Sequence, residues 1–145
     1  MKIRPMVDKD LEQVCSIENE TFSEPWSYNS FSTSLTSKDN TYLVAEEDGE
    51  VLGYCGMWGC IDEGQITNVA VKQNYRGKKI GHKLISTLID YGRDNGLISF
   101  TLEVRKGNEV ARKLYENLGF TSSGLRKNFY SKPTEDAVIM WLRDE

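Results

Sequence analysis

A chain of 145 residues, 39% hydrophobic and 28% charged, has the make-up of one soluble globular domain that can bury a core without staples; disorder is excluded. Its net charge of −4 argues against general nucleic-acid binding, because affinity for a phosphate backbone comes from surplus lysine and arginine. There is no apolar run long enough for a membrane span, no signal-peptide stretch at the start, and neither the three cysteines nor the single histidine has the spacing of a disulfide framework or a metal site. The expectation is a cytoplasmic protein with no metal and no membrane or direct nucleic-acid partner, whose cysteines are small buried residues.

The stretch "KIRP" reads as a short first strand. In "VDKDLEQVCSIENETF", Leu11, Val14, Ile17 and Phe22 recur at helical spacing behind Asp8 as cap. "WSYNSFSTSL" predicts a shorter helix starting near Ser27. "TYLVAEEDGEVLGYCGMWGC" reads as a hairpin turning at Asp48-Gly49, a pair suited to positive φ, and "GQITNVAV" as a buried central strand. A long amphipathic helix follows, with Ile80, Leu84, Ile85, Leu88, Ile89 and Tyr91 on one face and "RDNG" as its stop. "LISFTLEVR" alternates, setting Ile98, Phe100, Leu102 and Val104 against Ser99, Thr101, Glu103 and Arg105. "NEVARKLYENLGF" is a helix with Asn108 at its start, Gly119 at its end, and Val110, Ala111, Leu114, Tyr115 and Leu118 inward. Two strands near "FTSSGLR" and "EDAVIMWL" complete a mixed α/β sheet, expected to be one domain over residues 1–145 with a strand–helix–strand crossover at its middle.

The junction "VAVKQNYRGKKIGHKLI" is where chemistry enters. A strand that turns into a helix aims free N–H groups at one point, the helix dipole adds positive character, and Arg76, Lys78 and Lys79 supply further attraction, so the junction suits a phosphate. A Walker loop is excluded by the spacing of Gly77 and Gly81 and by His82-Lys83, and a GxGxxG fingerprint is absent. Arg-x-x-Gly-x-Gly fits at Arg76 and Gly81, with Lys79 in place of the first glycine.

That pattern resembles the pyrophosphate loop of the GCN5-related N-acetyltransferases, the GNAT superfamily. "ITNVAV", "FSEPWSYNSF", "LEVRKGNEVARKLYENLGF" and "GLRKNFYSKPTEDAVIM" are similar to its RimI-type branch of N-α-acetyltransferases, in order from about residue 20 to residue 140. The resemblance implies a GNAT fold: a mixed, mostly antiparallel sheet of about seven strands with about four helices, its central strands splayed to admit acetyl-CoA. It implies acetyl-CoA as co-substrate and the N-terminal alanine of ribosomal protein eighteen of the small subunit as acceptor. Val69, Ala70 and Val71 would run along the pantetheine arm. Arg76, Gly77, Lys78, Lys79, Ile80, Gly81 and His82 would cradle the pyrophosphate, and Asn108 would hydrogen-bond the cofactor. Glu103 would be general base and Tyr115 general acid, and Trp26 and Tyr130 would border the peptide groove. The lysine at position 79 makes the loop depend on a negative φ there. Phe129 stands where relatives often carry tyrosine.

The chemistry suits those roles. A peptide α-amine, with a pKa of roughly 8, is mostly protonated at neutral pH, so a nearby carboxylate can act as general base. Read from the residues alone, Glu103 pairs equally well with Arg105 on its own strand face, and Tyr115 is equally a core tyrosine. Glu63 is a second carboxylate that could steer the amine or stand in solvent, and His82 is read as a loop residue. Arg126-Lys127 is expected to pair with Glu135-Asp136 across the last hairpin. A small-amine acetyltransferase for a polyamine or aminoglycoside, and a non-catalytic acyl-CoA-binding module, stay open beside the peptide enzyme.

Overall fold

Period-two and helical patterning alternate along the chain, and the computed structural model, which describes residues 1–143, turns the first into strands and the second into helices. The strands are β1 (Lys2–Pro5), β2 (Asn40–Glu47), β3 (Glu50–Cys60), β4 (Glu63–Val71), β5 (Ser99–Arg105), β6 (Thr121–Tyr130) and β7 (Glu135–Arg143). Between them lie α1 (Leu11–Thr21), α2 (Tyr28–Leu35), α3 (Ile80–Asp94) and α4 (Glu109–Asn117), in the order the sequence predicts. One sheet runs β1-β2-β3-β4-β5-β7-β6, and among the described strands only the β4–β5 pair is parallel.

Turn and cap chemistry sets the boundaries. Asp48 and Gly49 both take positive φ, 51° and 84°, as a tight hairpin with right-twisted strands requires. The Ser30 N–H donates to Ser27 Oγ at 3.1 Å, capping α2. The expectation for Asp8 is corrected, because a tight 3₁₀ turn over Asp8–Asp10 precedes α1 and moves the acceptor two residues on. Asp10, buried, accepts from the Val7 N–H at 2.8 Å and from both terminal nitrogens of Arg4 at 2.8 Å, which fastens β1 to the start of α1.

The sheet carries a core on each face. Leu84, Ile85 and Leu88 of α3 meet Phe100, Leu102 and Met140 on one side; Leu11, Val14, Ile17 and Phe31 meet Val44 and Tyr54 on the other. Four residues expected on apolar faces do not reach these cores: Phe22, just past the end of α1, Ile98, just ahead of β5, Val110 and Tyr91. Val110 lies in the first turn of α4, ahead of the turn that Tyr115 buries, and is 83% exposed. Tyr91, 37% exposed, lines a shallow cleft at the sheet rim with Pro5, Thr41 and Leu43. The cysteine expectation holds only for Cys55. Cys15 is partly buried, and Cys60 is exposed where β3 runs past the core.

The sheet splits at its middle. β4 pairs with β5 only from Glu63↔Ser99 to Gln65↔Thr101, whereas β4 stays on β3 and β5 stays on β7. The split begins where β4 carries a bulge: Gly56 faces Asn68 and Met57 faces Ile66, which leaves Thr67 as the extra residue. A bulge bends and over-twists its strand, so the last residues of β4 swing away from β5. A gap opens between two strands of a continuous sheet.

Candidate active site

On the β4 wall the backbone supplies the free polar groups. The Lys72 N–H donates to the Leu52 carbonyl at 2.7 Å. Antiparallel alternation then turns Ala70 toward β3 as well and leaves Val69 and Val71 facing the gap. Ala70 is buried at 5% exposure under α1, while the Val69 and Val71 side chains rest on the opposite core. The Val71 carbonyl accepts from Arg76 Nε at 3.0 Å, and the Val69 N–H is left to meet an incoming ligand.

Beyond Val71 the chain makes a 3₁₀ turn over Gln73–Tyr75 and enters α3 through Gly77 at φ 81° and Lys79 at φ 63°. The requirement for a negative φ at position 79 is therefore corrected. The loop takes the left-handed conformation with a lysine in it, because the next residues must enter α3 directly. The first helical hydrogen bond here is Lys83 N–H to the Lys79 carbonyl at 3.1 Å, so the N–H groups of Ile80, Gly81 and His82 have no acceptor within the helix. Space around Gly77 is open, since a Cβ there would meet nothing within 4 Å. Free N–H groups, a helix start and the cations of Lys78 and Lys79 fit a pyrophosphate.

Two loop residues do more local work than the sequence suggests. Arg76 spends Nε on Val71 and sets Nη2 3.5 Å from the Thr21 hydroxyl, so it fastens the loop to the end of α1. Gly81 is buried, and a Cβ there would lie 3.1 Å from Leu114 Cδ1, so it lets α3 approach α4. Lys78 Nζ stands 5.4 Å from the centre of the Tyr75 ring. Asn108 caps α4, its Oδ1 accepting from the Ala111 N–H at 3.2 Å, which leaves its amide nitrogen for other use.

Glu103 lies on the β5 wall with its side chain 16% exposed. Gln65 Nε2 donates to Oε2 at 3.4 Å, and Arg126 Nε stands 3.5 Å from Oε1. The pairing of Glu103 with Arg105 does not form. Residues two apart on a strand are separated by about 6.6 Å, and Arg105 reaches further, to the β6–β7 turn. There it donates to the Pro133 carbonyl at 2.9 Å, the Ser131 carbonyl at 3.2 Å and Glu135 Oε1 at 3.2 Å, its guanidinium 4.4 Å from the centre of the Tyr130 ring. The expected pairing of Arg126-Lys127 with Glu135-Asp136 is likewise corrected. An irregularity between Arg126 and Tyr130, with Asn128 at φ 53°, shifts the register, so Asp136 accepts from the Asn128 N–H at 2.9 Å and Arg126 turns to Glu103.

Tyr130 stands near the Glu103 carboxylate, and Tyr115 stands near Tyr130. Burial pushes the Tyr130 phenol up to about 12, reinforced by the Glu103 charge and opposed by Arg105. Burial also holds the Tyr115 phenol well above the usual tyrosine value, with Cys55 and Tyr130 adding to it. The Tyr115 ring packs edge-on against Phe120 at 5.8 Å, while its hydroxyl makes no hydrogen bond to the described residues yet is not sealed off from open space. It is both a core ring and an available proton donor. The Trp26 ring packs on Phe31 at 5.3 Å, and the Trp26 backbone N–H donates at 2.9 Å to Glu18, whose other oxygen accepts from the Tyr54 hydroxyl. Ser131 donates to Glu24, joining the β6–β7 turn to the segment between α1 and α2. Glu63 falls at the closed, paired end of the gap, opposite Ser99, away from the Glu103 carboxylate.

Sequence reasoning missed Gln65, Arg126 and Glu18. The first two meet Glu103 only through strand order. Glu18 carried a weak signal, an acidic residue next to Ile17 on the apolar stripe of α1. No group of metal-ligating side chains is present among the described residues, and no helix among them is long and apolar enough to cross a membrane.

Comparison with known proteins gives a consistent result. The sequence model of the Acetyltransferase (GNAT) family matches residues 11–120. A Bacillus subtilis (strain 168) protein, named provisionally a ribosomal protein bS18-alanine N-acetyltransferase, is 39% identical over 97% of this chain and 93% of its own length. The Haemophilus influenzae ribosomal protein bS18-alanine N-acetyltransferase is 34% identical over 90% of each chain. The crystal structure of the Escherichia coli ribosomal-protein-S18-alanine N-acetyltransferase superposes with a TM-score of 0.90 at 30% identity, covering 98% of this chain and 92% of that one.

Proposed function

The chain belongs to the GNAT family of acetyltransferases and is an acetyl-CoA-dependent N-acetyltransferase; from that premise we propose that its acceptor is the α-amine of an N-terminal alanine, that of ribosomal protein bS18, with Glu103 as general base and Tyr115 as general acid. The acceptor rests on the names of relatives that match nearly the whole chain. The residue roles rest on one observation: a half-buried carboxylate beside the gap, with Tyr130 close to it and Tyr115 next to Tyr130.

The co-substrate supplies a thioester carbonyl as electrophile. Glu103 takes a proton from the α-ammonium, directly or through one water, and the freed amine attacks. The Val69 N–H, free of the β3 ladder, donates to the oxyanion, a contact whose loss typically lowers rates by about 10²–10³-fold. As the C–S bond breaks, the Tyr115 hydroxyl gives its proton to the leaving thiolate and is reprotonated through solvent, while the nitrogen sheds its second proton to solvent as the amide forms. Burial keeps that phenol protonated across the accessible pH range, which is the form an acid needs. Val69 and Val71 hold the pantetheine amides as an added strand would, the free N–H groups of Ile80, Gly81 and His82 hold the pyrophosphate, and Asn108 has its amide nitrogen to offer.

A polyamine acceptor would call for several free carboxylates. Glu24, Glu103 and Glu135 are each engaged by protein groups, which favours the peptide reading. The test measures coenzyme A release from acetyl-CoA with a peptide beginning Ala-Arg, beside spermidine, for the wild type and Glu103→Gln. Turnover on the peptide, with kcat lowered by about 10²-fold or more in the variant, is expected. Turnover chiefly on spermidine, or tight acetyl-CoA binding without turnover, overturns the acceptor; an undiminished Glu103→Gln enzyme overturns the base.

A further inference from the structure

A base that must receive an ammonium ion already has a cation beside it. We propose that Arg126 is a placeholder cation, which occupies the side of Glu103 where the acceptor's ammonium arrives and which the acceptor displaces on binding. The proposal rests on the reading of Glu103 as the base.

The two oxygens of Glu103 are held differently. Oε2 accepts from Gln65, a neutral amide on the partly buried β4 wall, at 3.4 Å. Oε1 faces only Arg126, at 3.5 Å, in an ion pair without a hydrogen bond. The Arg126 side chain is 56% exposed against 16% for Glu103, and it makes no other polar contact among the described residues, so the guanidinium can swing into solvent without breaking a second bond. It projects from β6, the edge strand, at the last paired position (Arg126↔Ala137) before the irregularity at Asn128, so the backbone is fixed and only the side chain has to move. The other charged and titratable groups near Glu103 are not free to move this way: Tyr130 is covered by Arg105, and Arg105 is tied to three groups of the β6–β7 turn.

This arrangement answers a physical problem. A half-buried carboxylate without a partner is unfavourable, yet one bound tightly to a cation is a poor base. A long, exposed ion pair compensates the charge weakly, so exchanging it for an incoming ammonium costs little. The exchange also withdraws a permanent cation from the carboxylate just when it must take a proton, which favours the transfer. No bond forms or breaks in this step; one ion pair replaces another.

The test compares Arg126→Gln, Glu103→Gln and the double variant. Acceptor KM comes from turnover, and peptide Kd comes from calorimetry on enzyme loaded with coenzyme A. Removing the competitor should lower acceptor KM and peptide Kd by about two- to fivefold, the range of an exposed ion pair, with the KM of acetyl-CoA as internal reference. The gain in peptide affinity should vanish when Arg126→Gln is made in the Glu103→Gln background. Methylguanidinium added to Arg126→Gln should restore the weaker affinity, competing with peptide. A raised or unchanged acceptor KM and Kd in Arg126→Gln would sink the placeholder, because a structural or acceptor-binding arginine gives those results. Full kcat in Glu103→Gln would sink the base assignment separately, while the affinities still judge Arg126.

Discussion

Lys79 is the residue where sequence pattern and backbone geometry disagree most sharply. A side chain at φ 63° sets Cβ close to the following carbonyl and costs roughly 1–2 kcal/mol, which a glycine there avoids. Part of that gain is lost to the greater freedom of glycine in the unfolded chain, about 0.5–1 kcal/mol. Lys79→Gly is therefore expected to hold or raise stability by up to about 1 kcal/mol, or a few degrees in Tm for a chain of this length. Lys79→Val, β-branched in the same conformation, should destabilise. Thermal unfolding of the two variants checks the sign. The same Lys79→Gly enzyme should bind acetyl-CoA more weakly, because a cation beside the pyrophosphate is gone. Greater stability with weaker binding would show that the lysine is kept for the ligand, at the expense of the fold.

At the scale of elements, the joint between β1 and α1 carries the clearest pH dependence. Burial alone would raise the Asp10 carboxyl; the two hydrogen bonds from Arg4 and one from the Val7 N–H overcome it and hold the group below its ordinary value. A carboxyl lowered on folding contributes stability above its unfolded pKa of about 3.9 and loses it as pH falls through the folded value. The urea midpoint of the wild type should exceed that of Asp10→Asn by a constant margin from neutrality down to about pH 4, and the margin should shrink below it. A margin unchanged down to about pH 2.5, well below the unfolded pKa, would mean that the Asp10→Asn change merely distorts the turn. The order of elements was legible because their periods differ and because Asp48-Gly49, Ser27 and Gly119 each have a local backbone reason to sit where they do. The free backbone groups were legible at Val69, at Val71 and at the start of α3, though not the turning of Ala70 toward β3. The site's charged partners were not. Glu103 meets Arg126 because β7 and β6 follow β5 across the sheet and an irregular stretch re-aims one arginine, and nothing within either segment encodes that meeting. The split was hidden too: β4 reads as one continuous buried strand, and the bulge at Thr67 exists only relative to β3.

For the whole molecule, the gap between β4 and β5 cuts through the middle of the sheet, so acetyl-CoA bound there, as proposed, should act as a strut between its halves. Val69 and Val71 lie on the β4 half, while α4, capped by Asn108, follows directly from β5 on the other. Cys55 gives a probe of opening that no one has to install. Its thiol is fully buried against α3, 3.6 Å from the Leu84 carbonyl, and burial pushes its pKa up, so a thiol reagent reaches it only when the core opens. Cys60, exposed, should label at once and Cys15 more slowly, which makes the three thiols a ruler of local against global opening. A ligand that binds only the closed form stabilises it by about 2.7 kcal/mol at a hundred times its Kd. With opening and closing fast relative to reaction, labelling of Cys55 should then slow by about 100-fold under that concentration of acetyl-CoA, while Cys60 keeps its rate. A Cys55 rate that ignored acetyl-CoA would mean that α3 and β3 open independently of the gap, so that the co-substrate clamps the loop without bracing the sheet.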